Sequence, residues 1–320
     1  MVETQDIDLA IEVKGLIKEY AGKVVAVNGI DLSIKSNTIY ALLGPNGAGK
    51  TTTISVLTTL IEPTAGSIKI LGLDVLLQAT EVRRNIGVTF QEMILDDDLT
   101  GRQALNYHGR LYKLASKERQ NKVKQLLELS ELEEAADRLV KTYSGGMKRR
   151  LELVRGLMTE PKILFLDEPT TGLDPQNRST IWKYIHSLKE NSGLTLLLTT
   201  HYMEEAEELA DRVGIIDHGK IVVEGTPREL IDKMGADSIQ IVGKGNSSQY
   251  IKELKRQTWV QTVAGTNSLL QIGTDSGNKR LAEVVSIANK SDFTIEDISI
   301  AKPSLGDVFL KYTGRKLRDK

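Results

Sequence analysis

Gly44-Pro45-Asn46-Gly47-Ala48-Gly49-Lys50-Thr51 stands between an apolar run, Ile39–Leu43, and a segment with helical patterning that continues to about Leu60. The stretch matches G-x-x-x-x-G-K-[ST] in a strand–loop–helix setting, and each fixed position has a physical reason. Gly44, Gly47 and Gly49 let the backbone curl so that successive N–H groups face inward, toward phosphate oxygens. The helix that opens near Lys50 adds its positive end to the same anion. Lys50 brings a cation to the β- and γ-phosphates, and the Thr51 hydroxyl suits Mg²⁺. The plain alternative is a glycine-rich turn before a helix.

Working outward, Ile163-Leu164-Phe165-Leu166-Asp167-Glu168 is the second half of the same site. Four apolar residues predict a strand buried on both faces, and Asp167 emerges at its carboxyl end, where α/β sheets place ligand-binding groups. Asp167 is the expected Mg²⁺ ligand, and Glu168 the expected general base for an attacking water. Alone, the segment reads equally well as a strand ending in a solvated acidic loop; the glycine cradle upstream decides between the two. A third element is Tyr143-Ser144-Gly145-Gly146-Met147, followed by Lys148-Arg149-Arg150 and a helix to Met158. Ser144 is a good N-cap and the two glycines permit close backbone approach, so this is a second anion-binding helix end. One nucleotide does not easily need two such ends from distant sequence. Ser144–Gly146 is therefore expected to face the γ-phosphate held by another subunit. Lys148–Arg150 reads as a solvated basic face.

From Ile7 to Leu43, short apolar runs punctuated by Gly22, Asn28-Gly29 and Ser36-Asn37 predict hairpin-linked antiparallel strands feeding a buried one. Helical spacing dominates from Gly101 to Met158, and Leu194–Leu198 reads as another buried parallel strand. A break comes at Leu230–Asp237, where Pro227 opens a short helix and Gly235 suits its end. Beyond it the predicted order is strand (Ser238–Val242), helix (Ser247–Arg256), strand (Trp259–Ala264), strand (Leu269–Thr274), helix (Asn278–Asn289) and strand (Thr294–Ala301). That order fits a ferredoxin-like plait. Ser304 with Asp307 predicts the cap of a last helix through Tyr312.

The 320 residues suit one large and one small domain. Lys+Arg 42 against Asp+Glu 43 leaves a net charge of −1, which argues against nucleic acid as a partner. With no Cys, disulfides, thiolate zinc sites and Cys nucleophiles are excluded. The acidic start, MVETQDIDLA, does not read as a signal peptide. No apolar run approaches the roughly 20 residues that cross a bilayer. A cytoplasmic protein is expected, whose membrane role, if any, comes through a partner.

In their order, these motifs resemble the nucleotide-binding subunit of an ATP-binding cassette (ABC) transporter, over residues 7 to about 230. The matching elements are Walker A at Gly44–Thr51, Gln91 as the Q-loop, Ser144–Gly146 in the signature, and Walker B at Ile163–Glu168. The D-loop follows at Thr171-Gly172-Leu173-Asp174-Pro175, and His201 ends the strand Leu194–Thr200. The resemblance implies an α/β P-loop NTPase cassette at 7–230, with a RecA-like core, an antiparallel β subdomain and a helical subdomain at about 92–160. A small α+β ferredoxin-like domain would occupy 236–314. It also implies roles. Tyr20 would stack on adenine, against the alternative of a hairpin tyrosine. Pro45, Asn46, Ala48 and Thr52 would join the ATP-binding set with Gly44, Gly47, Gly49, Lys50 and Thr51. Gln91 would meet Mg²⁺ alongside Thr51 and Asp167 and sense the permease. His201 would bond the γ-phosphate and position water, making Glu168, His201 and Gln91 the catalytic group. The other histidines, His108, His186 and His218, read as surface or helix residues.

The family signature usually begins with Leu and ends with Gln, where this chain has Tyr143 and Met147. The Ser-Gly-Gly core is intact, so activity is expected. The tail Pro303–Gly314 resembles the daunorubicin-resistance-type ATPases, which pair with separately encoded ABC-2 permeases, mostly exporters. Gly306 stands where that pattern often has Glu. The expected assembly is a head-to-tail homodimer around two ATP, on the inner face of the cell membrane, with an integral-membrane permease as partner. A DNA-repair or translation ATPase of the same superfamily would call for coiled-coil inserts, a second cassette or a basic groove. Neither inserts, a second cassette nor a basic groove is visible. A GTPase would call for N-K-x-D within the P-loop region 7–230, which has none; the one such string, Asn289–Asp292, lies in the 236–314 region. For 236–314 the alternatives are a dimerisation or spacer module and a regulatory ligand site.

Overall fold

The computed structural model describes residues 8–92, 94–233, 237–265, 269–301 and 303–314. Contacts divide the chain into two compact units, 1–226 and 227–320. Gly235 lies outside the described residues.

The first unit opens with two long strands, β1 (Leu9–Tyr20) and β2 (Val24–Lys35), then β3 (Ile39–Leu43) and α1 (Lys50–Leu57). β4 (Ala65–Ile70), β5 (Leu73–Asp74), α2 (Ala79–Asn85) and β6 (Ile86–Thr89) follow. A helical run comes next, α3 (Gly101–Leu111), α4 (Ser116–Leu129) and α5 (Gly145–Arg155). The chain then alternates β7 (Ile163–Asp167), α6 (Pro175–Ser192), β8 (Thr195–Thr200), α7 (Met203–Leu209), β9 (Arg212–Asp217) and β10 (Lys220–Gly225).

Two sheets result. The antiparallel one has the order β2-β1-β4-β5, and the larger one β10-β9-β3-β8-β7-β6. Strands β9, β3, β8, β7 and β6 run parallel, and only β10 is antiparallel to its neighbour. β3, β7 and β8 are buried at every position, as apolar strands covered on both faces should be. One core joins the sheets. Ile11, Val13, Leu16, Ile30 and Leu32 of the antiparallel layer meet Ile54, Val56 and Leu57 of α1 and Phe165 of β7.

The hairpin reading of the first 43 residues needs one correction. Asn28-Gly29 is not a turn between strands but lies inside β2, whose pairing with β1 shifts register near it. Gly29 has φ +75° and Gly15 of β1 φ +57°, and the Gly15 N–H donates to Asp31 at 2.7 Å. A glycine that allows positive φ serves a bulge as well as a turn.

The second unit contains α8 (Pro227–Asp232), β11 (Ser238–Gly245), α9 (Ser247–Leu254), β12 (Val260–Gly265), β13 (Leu269–Thr274), α10 (Gly277–Lys290), β14 (Phe293–Ala301) and α11 (Leu305–Thr313). Its sheet order, β12-β13-β11-β14, with every pairing antiparallel, is the split β-α-β arrangement of a plait. Ile239, Ile241, Leu270, Ile272, Tyr250, Leu254 and Val284 form its core. Ser304 and Asp307 close a reciprocal capping box at the start of α11.

Candidate active site

Parallel pairing aligns the carboxyl ends of four neighbouring strands. Leu43 lies opposite Thr200, Asp167 opposite Thr199, and Thr89 opposite Leu166. Whatever follows each strand is therefore delivered to one edge: the glycine cradle after β3, Glu168 after β7, His201 after β8 and Gln91 after β6.

The cradle is held from outside. The Gly44 N–H donates to the Thr200 carbonyl at 3.1 Å, and the Gly219 N–H donates to the Ala48 carbonyl at 2.9 Å. The Gly219 carbonyl in turn accepts from Asn28 N–H at 2.8 Å, which is why β2 bulges there. Gly49 sits at φ +106°, where an added Cβ would lie 2.4 Å from the Ala26 carbonyl oxygen. No side chain fits. Gly47 also has positive φ, +80°, but an added Cβ there would meet nothing within 4 Å, so at Gly47 the backbone conformation, not crowding, favours glycine. Ala48 packs into the core, Pro45 is half-buried, and Asn46 and Gly47 are exposed. The first amides of α1 have no carbonyl of their own turn to bond, so the helix end suits an anion. Thr51 is exposed and Thr52 half-buried on that first turn.

Lys50 reaches back across the loop, donating to the Gly44 carbonyl at 2.8 Å and the Pro45 carbonyl at 3.2 Å. Its Nζ also lies 3.0 Å from Glu168 Oε1, with both side chains only 5% exposed. Glu168 Oε2 gathers three more groups: His201 Nδ1 at 3.0 Å, the Thr171 hydroxyl at 2.9 Å and Gln91 Nε2 at 3.3 Å. Burial pushes this carboxyl up. The His201 hydrogen bond and the Lys50 charge outweigh it and hold the pKa at about 2. Glu168 stands at φ +47°, a costly conformation for a residue with a side chain. Its N–H is pinned to Thr199, at 3.0 Å to the hydroxyl and 3.2 Å to the carbonyl. The same Thr199 hydroxyl donates to buried Asp167.

Tyr20, at the end of β1, is 43% exposed, with the Lys18 ammonium 5.4 Å from its ring centroid. It pairs with Val24, two residues before Ala26. Two residues of strand are roughly 7 Å, so Tyr20 flanks the Ala26 edge that covers Gly49.

Ser144 caps α5 by accepting the Met147 N–H at 3.2 Å, and Ser144 and Gly145 are exposed. No hydrogen bond among the described residues joins Ser144–Gly146 to Lys50, Glu168 or His201. Instead this helix end leans on the segment after Glu168. A Cβ on Gly146 would lie 2.7 Å from Asn177 Oδ1, and one on Gly145 3.6 Å from a Leu173 methyl. Tyr143 is buried and its hydroxyl donates to the Ala135 carbonyl at 2.7 Å. It also claims the space beside Gly101, where a Cβ would lie 2.3 Å from that hydroxyl.

The expectation of a solvated basic face fails for Arg149, which is 4% exposed. Its guanidinium donates to four main-chain carbonyls: Phe90 at 2.9 Å, Asp167 at 3.3 Å, Glu168 at 3.1 Å, and Pro169. Lys148 pairs with Asp97, and Arg150 with Glu131 and the Ser130 carbonyl. The signal was present in the periodicity. Arg149 shares a face of α5 with buried Glu152 and Leu153.

A glycine cradle after one parallel strand and an acidic pair after its near neighbour define a P-loop nucleoside triphosphatase. Residues 27–171 match the ABC transporter family model. The chain is 41% identical over 313 residues to the daunorubicin resistance ATP-binding protein DrrA3 of Streptomyces coeruleorubidus, covering 98% of both. It is 35% identical to the linearmycin resistance ATP-binding protein LnrL of Bacillus subtilis, covering 95% of this chain and 98% of that one. Among solved structures, cbiO1 from Clostridium perfringens, part of the ABC transporter complex cbiONQ, aligns with TM-score 0.67 at 28% identity, over 71% of this chain and 92% of that one. The dimeric cassette MJ0796, in a post-hydrolysis state with ADP and Pi, aligns with TM-score 0.61 at 27% identity, over 68% and 98%. The chain belongs to the ABC transporter ATP-binding proteins: it is an ATP-binding ATPase subunit.

Proposed function

We propose that the chain energises a separately encoded permease of the ABC-2 export type, from the inner face of the cell membrane, by closing head-to-tail as a homodimer around two ATP. The single observation that carries the hydrolytic part is the convergence on Glu168. Lys50, Gln91, Thr171 and His201 all bond one buried carboxylate that a left-handed turn projects from the end of β7.

In this reading Gly44–Thr52 wrap the phosphates, Lys50 takes the β- and γ-oxygens, and Tyr20 takes the adenine. Thr51, Asp167 and Gln91 offer hard oxygen donors that would hold Mg²⁺, which would supply positive charge against the phosphates. Glu168 accepts a proton from the attacking water. A carboxylate held ionised at about pKa 2 is always available as a base, though a weak one. His201 bonds Glu168 through Nδ1, which orients the ring and assigns Nε2 to the γ-phosphate. Ser144 and Gly145, exposed at the tip of α5, and buried Gly146 behind them, none bonded to this cluster, serve the partner copy's γ-phosphate. Hydrolysis then removes the group that both halves hold, and the dimer opens.

Names of relatives support export: daunorubicin and linearmycin resistance, and Nod factor export in Sinorhizobium fredii. No helix among the described residues is long and apolar enough to cross a membrane, which leaves the pathway to a partner. Exposed Ile94, Tyr107, Leu111 and Tyr112 give the helical layer an apolar surface for one. Affinity purification from detergent-solubilised membranes tests this: a polytopic protein should accompany the chain, whereas ribosomes or DNA would overturn the transport reading.

A further inference from the structure

One buried cation ties together three segments that the reaction needs in fixed relation. Arg149 lies on α5, five residues past the Ser144 cap, and its four acceptors come from two other places in the chain. Phe90 immediately precedes Gln91; Asp167, Glu168 and Pro169 form the turn that carries the general base. Two further residues on α5 reinforce the first of these links. Arg155 donates to the Ile94 carbonyl and is paired in turn to Glu152, one turn before it on the same helix. The ends of the segment containing Gln91 are thus both gripped by the helix whose tip carries Ser144.

The turn at Glu168 needs such a grip. Positive φ at a glutamate persists only where the surroundings over-determine it. Thr199 holds the turn from the β8 side through N–H and carboxylate contacts. Arg149 holds it from the α5 side through consecutive carbonyls. A guanidinium presents five donors in a fixed planar fork, and four carbonyls around it satisfy most of them. A lysine ammonium has three donors at a single point and cannot span acceptors from both segments. A carboxylate partner would merely neutralise the charge; main-chain carbonyls fix backbone positions.

We propose that Arg149 is a positioning residue for hydrolysis: it locks the left-handed turn that aims Glu168 and registers that turn to the segment carrying Gln91 and to the Ser144 helix. This rests on the reading of Glu168 as the base. Arg149 is buried, and its partners here are main-chain carbonyls rather than the side chains of the cluster at Glu168.

The test is steady-state ATP hydrolysis by the full chain carrying Arg149→Lys or Arg149→Gln, each with and without Glu168→Gln. We expect kcat to fall about tenfold or more in both single variants, a fraction of what a general base contributes. KM for ATP should stay within about threefold of wild type, because the cradle is untouched. The smaller loss should belong to whichever variant keeps more carbonyl contacts, and adding either to Glu168→Gln should cost nothing further. Unchanged kcat, a KM that rises more than kcat falls, or losses that multiply in the double variant would overturn the proposal. So would failure of both single variants to fold and bind ATP, which would make Arg149 a residue of stability alone. If Glu168→Gln keeps full turnover, the reading of the base fails instead, and the two failures are told apart.

Discussion

Lys50→Met makes the coupling between cradle and base measurable without any ligand. Methionine keeps the apolar stem of the side chain but removes the cation that sits 3.0 Å from Glu168 Oε1, at a site where both groups are 5% exposed. At an effective dielectric near 20, two unit charges at that distance attract by about 5–6 kcal/mol, a gross figure that desolvation offsets. Removing one partner of a buried pair leaves the other uncompensated and typically costs about 3–5 kcal/mol. The Gly44 and Pro45 carbonyls lose a donor as well. We therefore expect a loss of about 3 kcal/mol or more in unfolding free energy at pH 7, read by urea denaturation.

The pH dependence carries the diagnosis. In the wild type the Glu168 carboxyl is depressed to about 2 from a reference of 4.5. Its contribution is complete above pH 4.5 and is lost as pH falls toward 2. In Lys50→Met burial still pushes the carboxyl upward and only His201 is left to oppose it, so ionisation of Glu168 stabilises the fold less than in wild type. The deficit relative to wild type should be greatest at pH 7 and shrink as the pH falls through 4.5. Glu168→Gln in the Lys50→Met background should recover much of the loss. A deficit below about 0.5 kcal/mol, or one that neither acid nor Glu168→Gln relieves, would refute the coupling.

Two other substitutions probe the signature end. Gly146→Ala puts a methyl 2.7 Å from Asn177 Oδ1, on the turn that leads out of the D-loop; we expect kcat to drop about tenfold or more with nucleotide affinity of the monomer unchanged, as measured by titration and turnover. Tyr143→Phe deletes only the hydroxyl bonded to the Ala135 carbonyl. It should cost about 1–3 kcal/mol of stability by denaturant melt, the usual penalty of an orphaned buried acceptor, while turnover of the folded enzyme stays within about twofold.

The sequence is most legible where chemistry demands a local string. The G-x-x-x-x-G-K-T run and the apolar strand ending in Asp167-Glu168 announce themselves because cradle, cation and carboxylates each require contiguous residues. The plait order after Ser238 is similarly readable, since period-two and helical patterns alternate cleanly there. Asn28-Gly29 misleads for a physical reason: its positive φ serves a bulge that docks β2 on Gly219, and nothing local separates that use from a turn. For Arg149 the helical spacing marks burial but not the partners. Its acceptors are main-chain carbonyls of Phe90, Asp167, Glu168 and Pro169, which every residue possesses, so no side-chain pattern marks the partnership. Tyr143 at a signature position is explained only by the cavity beside Gly101 and the Ala135 carbonyl.

The most direct test of the shared site is the size of the Glu168→Gln chain in solution, with and without Mg-ATP. With hydrolysis blocked and binding retained, the variant should run as a monomer alone and at twice that mass when ATP is saturating, and Ser144→Arg should abolish the shift. A Glu168→Gln chain that binds ATP yet stays monomeric at saturation would contradict the account.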